Sequence, residues 1–448
     1  MAIHPNDLRL EGLYLASERE DQETLKHLSR CQRCRDRFAA ILQQRQTVTA
    51  SPPEEAGDDP ACEDVTQVDS LTLALALTLA RERFAAPELL VELIRCPLER
   101  REGLLGKDPR FHIWGLFELL IERSLETGTR DREGAEELGL LALDLSAHLN
   151  AFLYGAERIE DLRARAWAHV ANARRLRSKL RAADEAFRRA SSHLSKGTGD
   201  PLERAILLDL EASLRRDQRR FPEALGLVQQ AVDLFLGIGD RHRAGRSLIN
   251  MSTVHYFTGD LDQAISLLFQ AFDRIDAEQE PRLLLCARHN LIDYLSQAGR
   301  FQEAQEIYFQ NRALYRDFVE PWVQNRRKWV KGRIARGFGQ TALAESLLLA
   351  ARDGFLAEGI PYDTALISLE IATLYAEQGR TPELKRLAGE MVPIFSSLQI
   401  HREALAALTF LKQAIDTEQA GLEVVNAVAG YLKRAQHDPE VRFRGVEG

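Results

Sequence analysis

The sequence predicts an all-α protein: a small zinc-stapled helical head followed by an α-solenoid of helix-turn-helix repeats, each about 40 residues long. Three observations predict it. Glycines at 259, 299, 339 and 379 and prolines at 281, 321 and 361 recur with one fixed period, and Pro201 stands two periods before the first of these prolines. His27, Cys31 and Cys34 are spaced to share one face of a helix near the N-terminus. Between these features lies an acidic stretch with Pro52, Pro53 and Pro60 and no Lys or Arg from Gln46 to Ala80.

At 448 residues the chain is too long for one small core and calls for several domains or a repeat array. A hydrophobic fraction of 45% and a charged fraction of 28% are globular values, which excludes wholesale disorder. The longest apolar run, Leu71 to Ala80, is about half of what a membrane span needs, and the N-terminus lacks a basic region followed by an apolar one. The expectation is therefore a cytoplasmic protein with no membrane partner. Five cysteines, with only Cys31 and Cys34 close in sequence, do not form a disulfide framework.

The head is assigned to residues 1–47. In HLSRCQRC the spacing of four and then three brings His27, Cys31 and Cys34 together on one helical face, and all three side chains are zinc ligands. A structural zinc takes four such ligands in a tetrahedron, and so short a head needs a staple in order to fold. His4 is the fourth candidate by elimination, being the only other His or Cys within the first 60 residues. Zn2+ is the one cofactor expected.

Residues 48–68 read as a solvated acidic linker, with Glu54, Glu55, Asp58, Asp59, Glu63 and Asp64. Residues 69–155 are helical in pattern and are assigned as degenerate or capping repeats. Residues 156–400 hold the regular repeats, 401–436 form C-terminal capping helices, and 437–448 form a tail. Within a repeat, Pro281 opens a first helix, Gly299 ends it as a left-handed cap residue, and Phe301 to Leu314 carry a second helix. Small residues at Ala171, Ala212, Ser252, Gly332 and Ala372 on first helices face alanines at 183, 224, 264, 304 and 344 on second helices. A further set, Ala190, Ala231, Ala271 and Ala351, lies one turn or two further along the second helices.

The order Trp167, Ala171, Ala183, Phe187, Ala190 resembles the signature of the tetratricopeptide repeat family over about residues 160–400. The units depart from that family in their length of about 40 residues. They also place Ile292 where the first helix has a small residue and Leu384 where the second has alanine. His27, Cys31 and Cys34, followed by the amphipathic segment RDRFAAILQQ, resemble the zinc-binding anti-sigma factor domain of bacteria over residues 1–45. That resemblance implies a fourth ligand upstream, where His4 stands, and a sigma factor or related regulator as a partner of the head.

The tetratricopeptide resemblance implies a concave groove lined by one stripe of each first helix. On this chain the stripe holds Arg165, Arg175, Arg216, Arg246, Tyr256, His289, Arg326, Trp329, Arg333 and Arg336 among its members; seven stripe positions are arginine and two are acidic. Against a formal net charge of −8, this excess predicts a groove for an acidic peptide or protein segment, with Trp329 as a stacking surface. The acidic linker is a tethered candidate for the same groove. Residues 325–336 carry six basic groups and no acid, which raises nucleic acid as a less favoured ligand. No nucleophile elbow, zinc-protease motif or dinucleotide loop occurs, and Gly103 to Asp108 lacks the spacing of a phosphate loop. A non-catalytic regulatory adaptor is the function expected; a scaffold with a purely structural head is the alternative.

Overall fold

The computed structural model describes residues 70–128, 131–397 and 422–435. His4, His27, Cys31, Cys34 and the acidic linker lie outside the described residues. So do residues 401–421 of the expected C-terminal caps and the tail.

The described chain is helical, and it divides into two compact units between Leu214 and Arg215. The first unit holds α1 (Ser70–Arg95), α2 (Leu98–Lys107), α3 (Trp114–Thr127), α4 (Arg132–His148), the single turn α5 (Ala151–Tyr154), α6 (Ala156–Leu176) and α7 (Leu180–Leu194). Helix α8 (Pro201–Asp217) contributes all but its last residues to this unit. The sequence places a domain boundary at 155/156, whereas one core runs through it: Leu93, Phe111, Phe117 and Leu145 share their cluster with Ile159, Leu162 and Ala166 of α6. The first regular repeat is thus built onto residues 70–155, because α6 turns one face to that core and another to α7.

Glu82 organises the core of this unit. Its buried carboxylate accepts the backbone N–H of Trp114 at 2.9 Å, which caps α3, and the Tyr154 hydroxyl at 2.5 Å. Burial, with this carboxylate beside it, pushes the Tyr154 phenol well above its ordinary range. Gly115 makes the close approach possible, since a Cβ there would meet Arg83 N and the Glu82 carbonyl carbon at 2.5 Å.

The second unit continues with α9 (Phe221–Gly237), α10 (Arg241–Thr258), α11 (Leu261–Phe272), α12 (Pro281–Gln297), α13 (Phe301–Gln310), α14 (Arg312–Asp317), α15 (Pro321–Gly337), α16 (Thr341–Ala357), α17 (Pro361–Glu377), α18 (Thr381–Ser397) and α19 (Leu422–Ala435). Val425, Val428 and Tyr431 of α19 close the hydrophobic core formed by α15 to α18. Trp167, Ala171, Ala183, Phe187 and Ala190 pack together in one buried cluster of the first unit, as the repeat signature requires.

The first helices of successive repeats stop the same way. The residue after the stop donates its N–H back five positions, from Lys179 to Arg174 O, Arg220 to Arg215 O, Asp260 to His255 O, Arg300 to Leu295 O, Gln340 to Ala335 O and Arg380 to Tyr375 O. This turn needs a left-handed residue, supplied by Gly259, Gly299, Gly339 and Gly379. In the two earlier repeats the position falls to Ser178 and Arg219, the only non-glycine residues with positive φ among those described. Arg219 recovers part of the cost by lying 5.8 Å from the ring centres of Phe221 and Phe257.

The second helix of the 281–320 repeat differs from its expected span. It is interrupted at Asn311, giving α13 and α14 in place of one helix from Phe301 to Leu314.

Two outcomes follow from this packing. Ser178→Gly relieves the left-handed strain and raises stability by about 0.5–1 kcal/mol, seen as a higher midpoint in thermal unfolding followed by circular dichroism. Gly115→Ala forces backbone apart at the Glu82 contact and costs about 1–3 kcal/mol, seen as a lower midpoint in the same measurement.

Candidate functional site

The candidate site is the face made by the first helices α10, α12, α15 and α17 of the second unit. Their shared start, a proline or a capping acid after the preceding loop, sets the same stripe of side chains on each. Asp240 caps α10 by accepting from Arg243 N, and Pro281, Pro321 and Pro361 begin α12, α15 and α17.

At the middle of this face Arg333 bridges two carboxylates. It is paired with Asp293 of α12, and its Nε lies 2.8 and 3.0 Å from the carboxylate oxygens of Glu370 on α17. The Trp329 ring lies 4.5 Å from the guanidinium carbon, and its Nε1–H donates to Glu370 at 3.1 Å. Buried as it is between two acids, Arg333 is held even more firmly protonated than an ordinary arginine. Gln297 connects this centre to an aromatic pair: its amide donates to Asp293 at 3.1 Å and to the Tyr256 hydroxyl at 3.0 Å. Tyr256 stacks on Tyr294 with ring centres 4.5 Å apart and planes 9° from parallel.

His289, one turn before Asp293, hydrogen-bonds through Nδ1 to the Tyr315 hydroxyl at 2.8 Å. Desolvation, reinforced by Arg326 and Arg333 against the opposing Asp293, pulls its imidazole down to about 4, so it is neutral at pH 7.

Arg246, Arg326, Arg333 and Arg336 of the predicted stripe are on these helices, and the structure corrects what the number of stripe arginines implies. Arg246 is paired with Glu280, Arg326 with Asp363 at 3.3 Å, Arg333 with Glu370, and Arg336 with Glu377 at 2.5 Å, each acid lying about one repeat downstream. In the first unit Arg165 is paired with the buried Glu203 of α8, and Arg175 donates to Asn172 at 2.9 and 3.1 Å. Arg216, in the second unit, is held by Asp217 at 2.9 Å and by Asn250 at 3.0 Å. Five of the seven arginines are therefore neutralised by an acid about one repeat downstream and Arg216 by its neighbour Asp217, so an excess of positive charge no longer argues for an acidic ligand or for the acidic linker. A charge count along one stripe misses acids supplied by the next helix. A sequence signal for part of this set existed: Asp200, Asp240, Glu280 and Glu320 recur with the repeat period just ahead of first helices, and Glu320 pairs with Arg282.

The basic run 325–336 fares similarly. Arg326, Arg333 and Arg336 are in ion pairs, Arg327 donates to the Tyr308 hydroxyl at 3.1 Å, Lys328 donates to Asn325 at 3.3 Å, and Lys331 is exposed. It offers no open cationic strip for phosphates. Gly103 to Lys107 lie within α2, so no phosphate loop exists there. Among the described residues no group of three His, Cys, Asp or Glu side chains could hold a metal ion, and no described helix is long and apolar enough to cross a membrane.

These features define a helical repeat protein with a polar and aromatic face along its first helices. Residues 203–277, from α8 through α11, match the tetratricopeptide repeat family. Among solved structures, the fold is similar to that of a Rap protein complexed with competence and sporulation factor, at 12% identity and a TM-score of 0.55, covering 71% of this chain and 87% of that one. It is also similar to aspartyl phosphate phosphatase F from Bacillus subtilis, at 12% identity and a TM-score of 0.50, covering 89% and 96%. No curated protein matches the chain by sequence.

The depressed His289 sets a pH dependence. Its folded pKa lies below the unfolded value, so as pH falls from about 6.5 to about 4 the unfolded chain takes up the proton first and stability is lost. His289→Gln, which has no group that titrates there, should lose about 3 kcal/mol less than the natural chain across that window, measured by urea unfolding at pH 7 and pH 4.

Proposed function

We propose that this chain is a non-catalytic cytoplasmic regulatory adaptor. The face of α10, α12, α15 and α17 binds a protein or peptide segment, and the head contacts a sigma factor or related transcription regulator. The single observation that carries the binding reading is the continuous row Tyr256, Asp293, Trp329, Arg333 and Glu370, drawn from four successive repeats. Its members are buried or half-buried, fixed by one another and spaced along an extended segment. Pre-paired side chains of this kind bind at low ordering cost, since their rotamers are set before the partner arrives. The likeness to a Rap protein that was crystallised with competence and sporulation factor supports the same use of a helical repeat array.

For the head, the reading rests on the chemistry of its donor set. His4, His27, Cys31 and Cys34 supply two imidazoles and two thiolates, which match the number and kind of ligands in a structural zinc site. Zinc bound there would supply folding energy to a segment too short to hold a core of its own, with no catalytic step.

Both parts are tested together. Full-length protein purified without added metal is expected to carry one zinc per chain by elemental analysis, and Cys31→Ser with Cys34→Ser to carry none. Native extract passed over the tagged natural chain, the cysteine variant and Tyr256→Ala should yield a sigma factor or related regulator that the cysteine variant fails to retain. A second partner should be lost with Tyr256→Ala. Retention of every partner by the cysteine variant would reduce the head to a structural element, and retention of every partner by Tyr256→Ala would remove the binding face from the reading.

A further inference from the structure

The interruption of the second helix at Asn311 coincides with the two places where the 281–320 repeat abandons small residues. On the first helix, Ala171, Ala212, Ser252, Gly332 and Ala372 give way to Ile292, which is fully buried. On the second, Ala190, Ala231, Ala271 and Ala351 give way to Asn311, 1% exposed. How close the helices come elsewhere is shown one repeat on, where a Cβ on Gly332 would stand 3.0 Å from Leu348. Ile292 is fully buried at the equivalent place, and the second helix of this repeat runs past Tyr308, the counterpart of Leu348, before it is interrupted at Asn311.

Asn311 then holds the break in place. Its Nδ2 donates to Ile307 O at 2.8 Å, sharing that acceptor with its own backbone N–H, and its Oδ1 accepts from Arg288 of α12 at 2.6 Å. Beyond the break, α14 is gripped by the next repeat. Gln324 of α15 donates to Tyr315 O and Phe318 O at 2.9 and 2.7 Å, and the Arg327 guanidinium lies 5.7 Å from the Tyr315 ring centre. Besides the Arg288–Asn311 bond, the His289 Nδ1–Tyr315 hydroxyl hydrogen bond joins α12 to this segment, and it reaches beyond the break.

We propose that the 308–317 segment is a hinge within the second unit, and that the His289–Tyr315 hydrogen bond ties its position to the first-helix face. The hinge is argued from the interruption at Asn311, with α13 and α14 held by different neighbours on either side of it. Its use in reporting an occupied face rests on the binding role proposed above, and the experiment below involves no partner, so the two can fail separately.

Hydrogen exchange read by mass spectrometry on the full chain tests it. Amides at 308–317 are expected to exchange about 10-fold faster than those at 348–357, the matching positions one repeat on. Ile292→Ala with Asn311→Ala restores the small pair and should slow 308–317 towards the matching rate; if that double variant does not fold, Asn311→Ala alone carries the comparison. Tyr315→Phe should speed exchange at 311–317 by about 3-fold or more and leave 348–357 unchanged. Equal exchange of the two segments in the natural chain would overturn the hinge. An unchanged 311–317 in Tyr315→Phe would overturn its tie to the first-helix face.

Discussion

The closeness with which paired helices approach one another governs the rest of the structure. Alanine, serine or glycine at the crossing point lets two backbones come within contact of a single methyl group, and the dispersion gained there is lost as soon as a gap or a larger side chain intervenes. Fully buried Ala171, Ala183, Ala190, Ala224, Ala264 and Ala344 occupy these crossings. The helix ends are subordinate to the same requirement. A first helix can meet its partner at the right place only if it stops sharply, which is why the bond from the residue after the stop to the fifth carbonyl before it recurs in six repeats.

Much of this was legible from residue spacing. Glycine and proline mark conformations that few other residues adopt, so their shared period located helix ends that the structure reproduces at Gly259, Gly299, Gly339 and Gly379. The left-handed turns at Ser178 and Arg219 were not legible in the same way, because neither residue type announces one. Nor could spacing show how the repeats meet their surroundings. Ile159 and Leu162 share a core with Leu93 and Phe117, and burial against an irregular bundle leaves no periodic mark.

The candidate face was half legible for a similar reason. Its positions follow from the register, and Tyr256, His289, Trp329 and Arg333 do lie on the first helices. Its electrostatics depend on the neighbour across the interface, and partners such as Glu370 and Asp363 occupy a different helical position from the arginines they neutralise. Ile292, recognised in the sequence as a departure, is fully buried in the repeat whose second helix is interrupted at Asn311, an interruption that the spacing did not announce.

The ion pairs that link each repeat of the second unit to the next are unequal in their access to water. Arg246 and Arg326 have side chains 42% and 41% exposed, while Arg333 is at 13%. Dissolved ions screen the first two strongly and the third weakly, so rising ionic strength loosens the outer couplings while the central one persists. Heating acts in the opposite sense on that central pair, because the cost of stripping water from charged groups falls as temperature rises. Salt and heat therefore act on different ion pairs of one array, with the Arg333 pair the last to loosen.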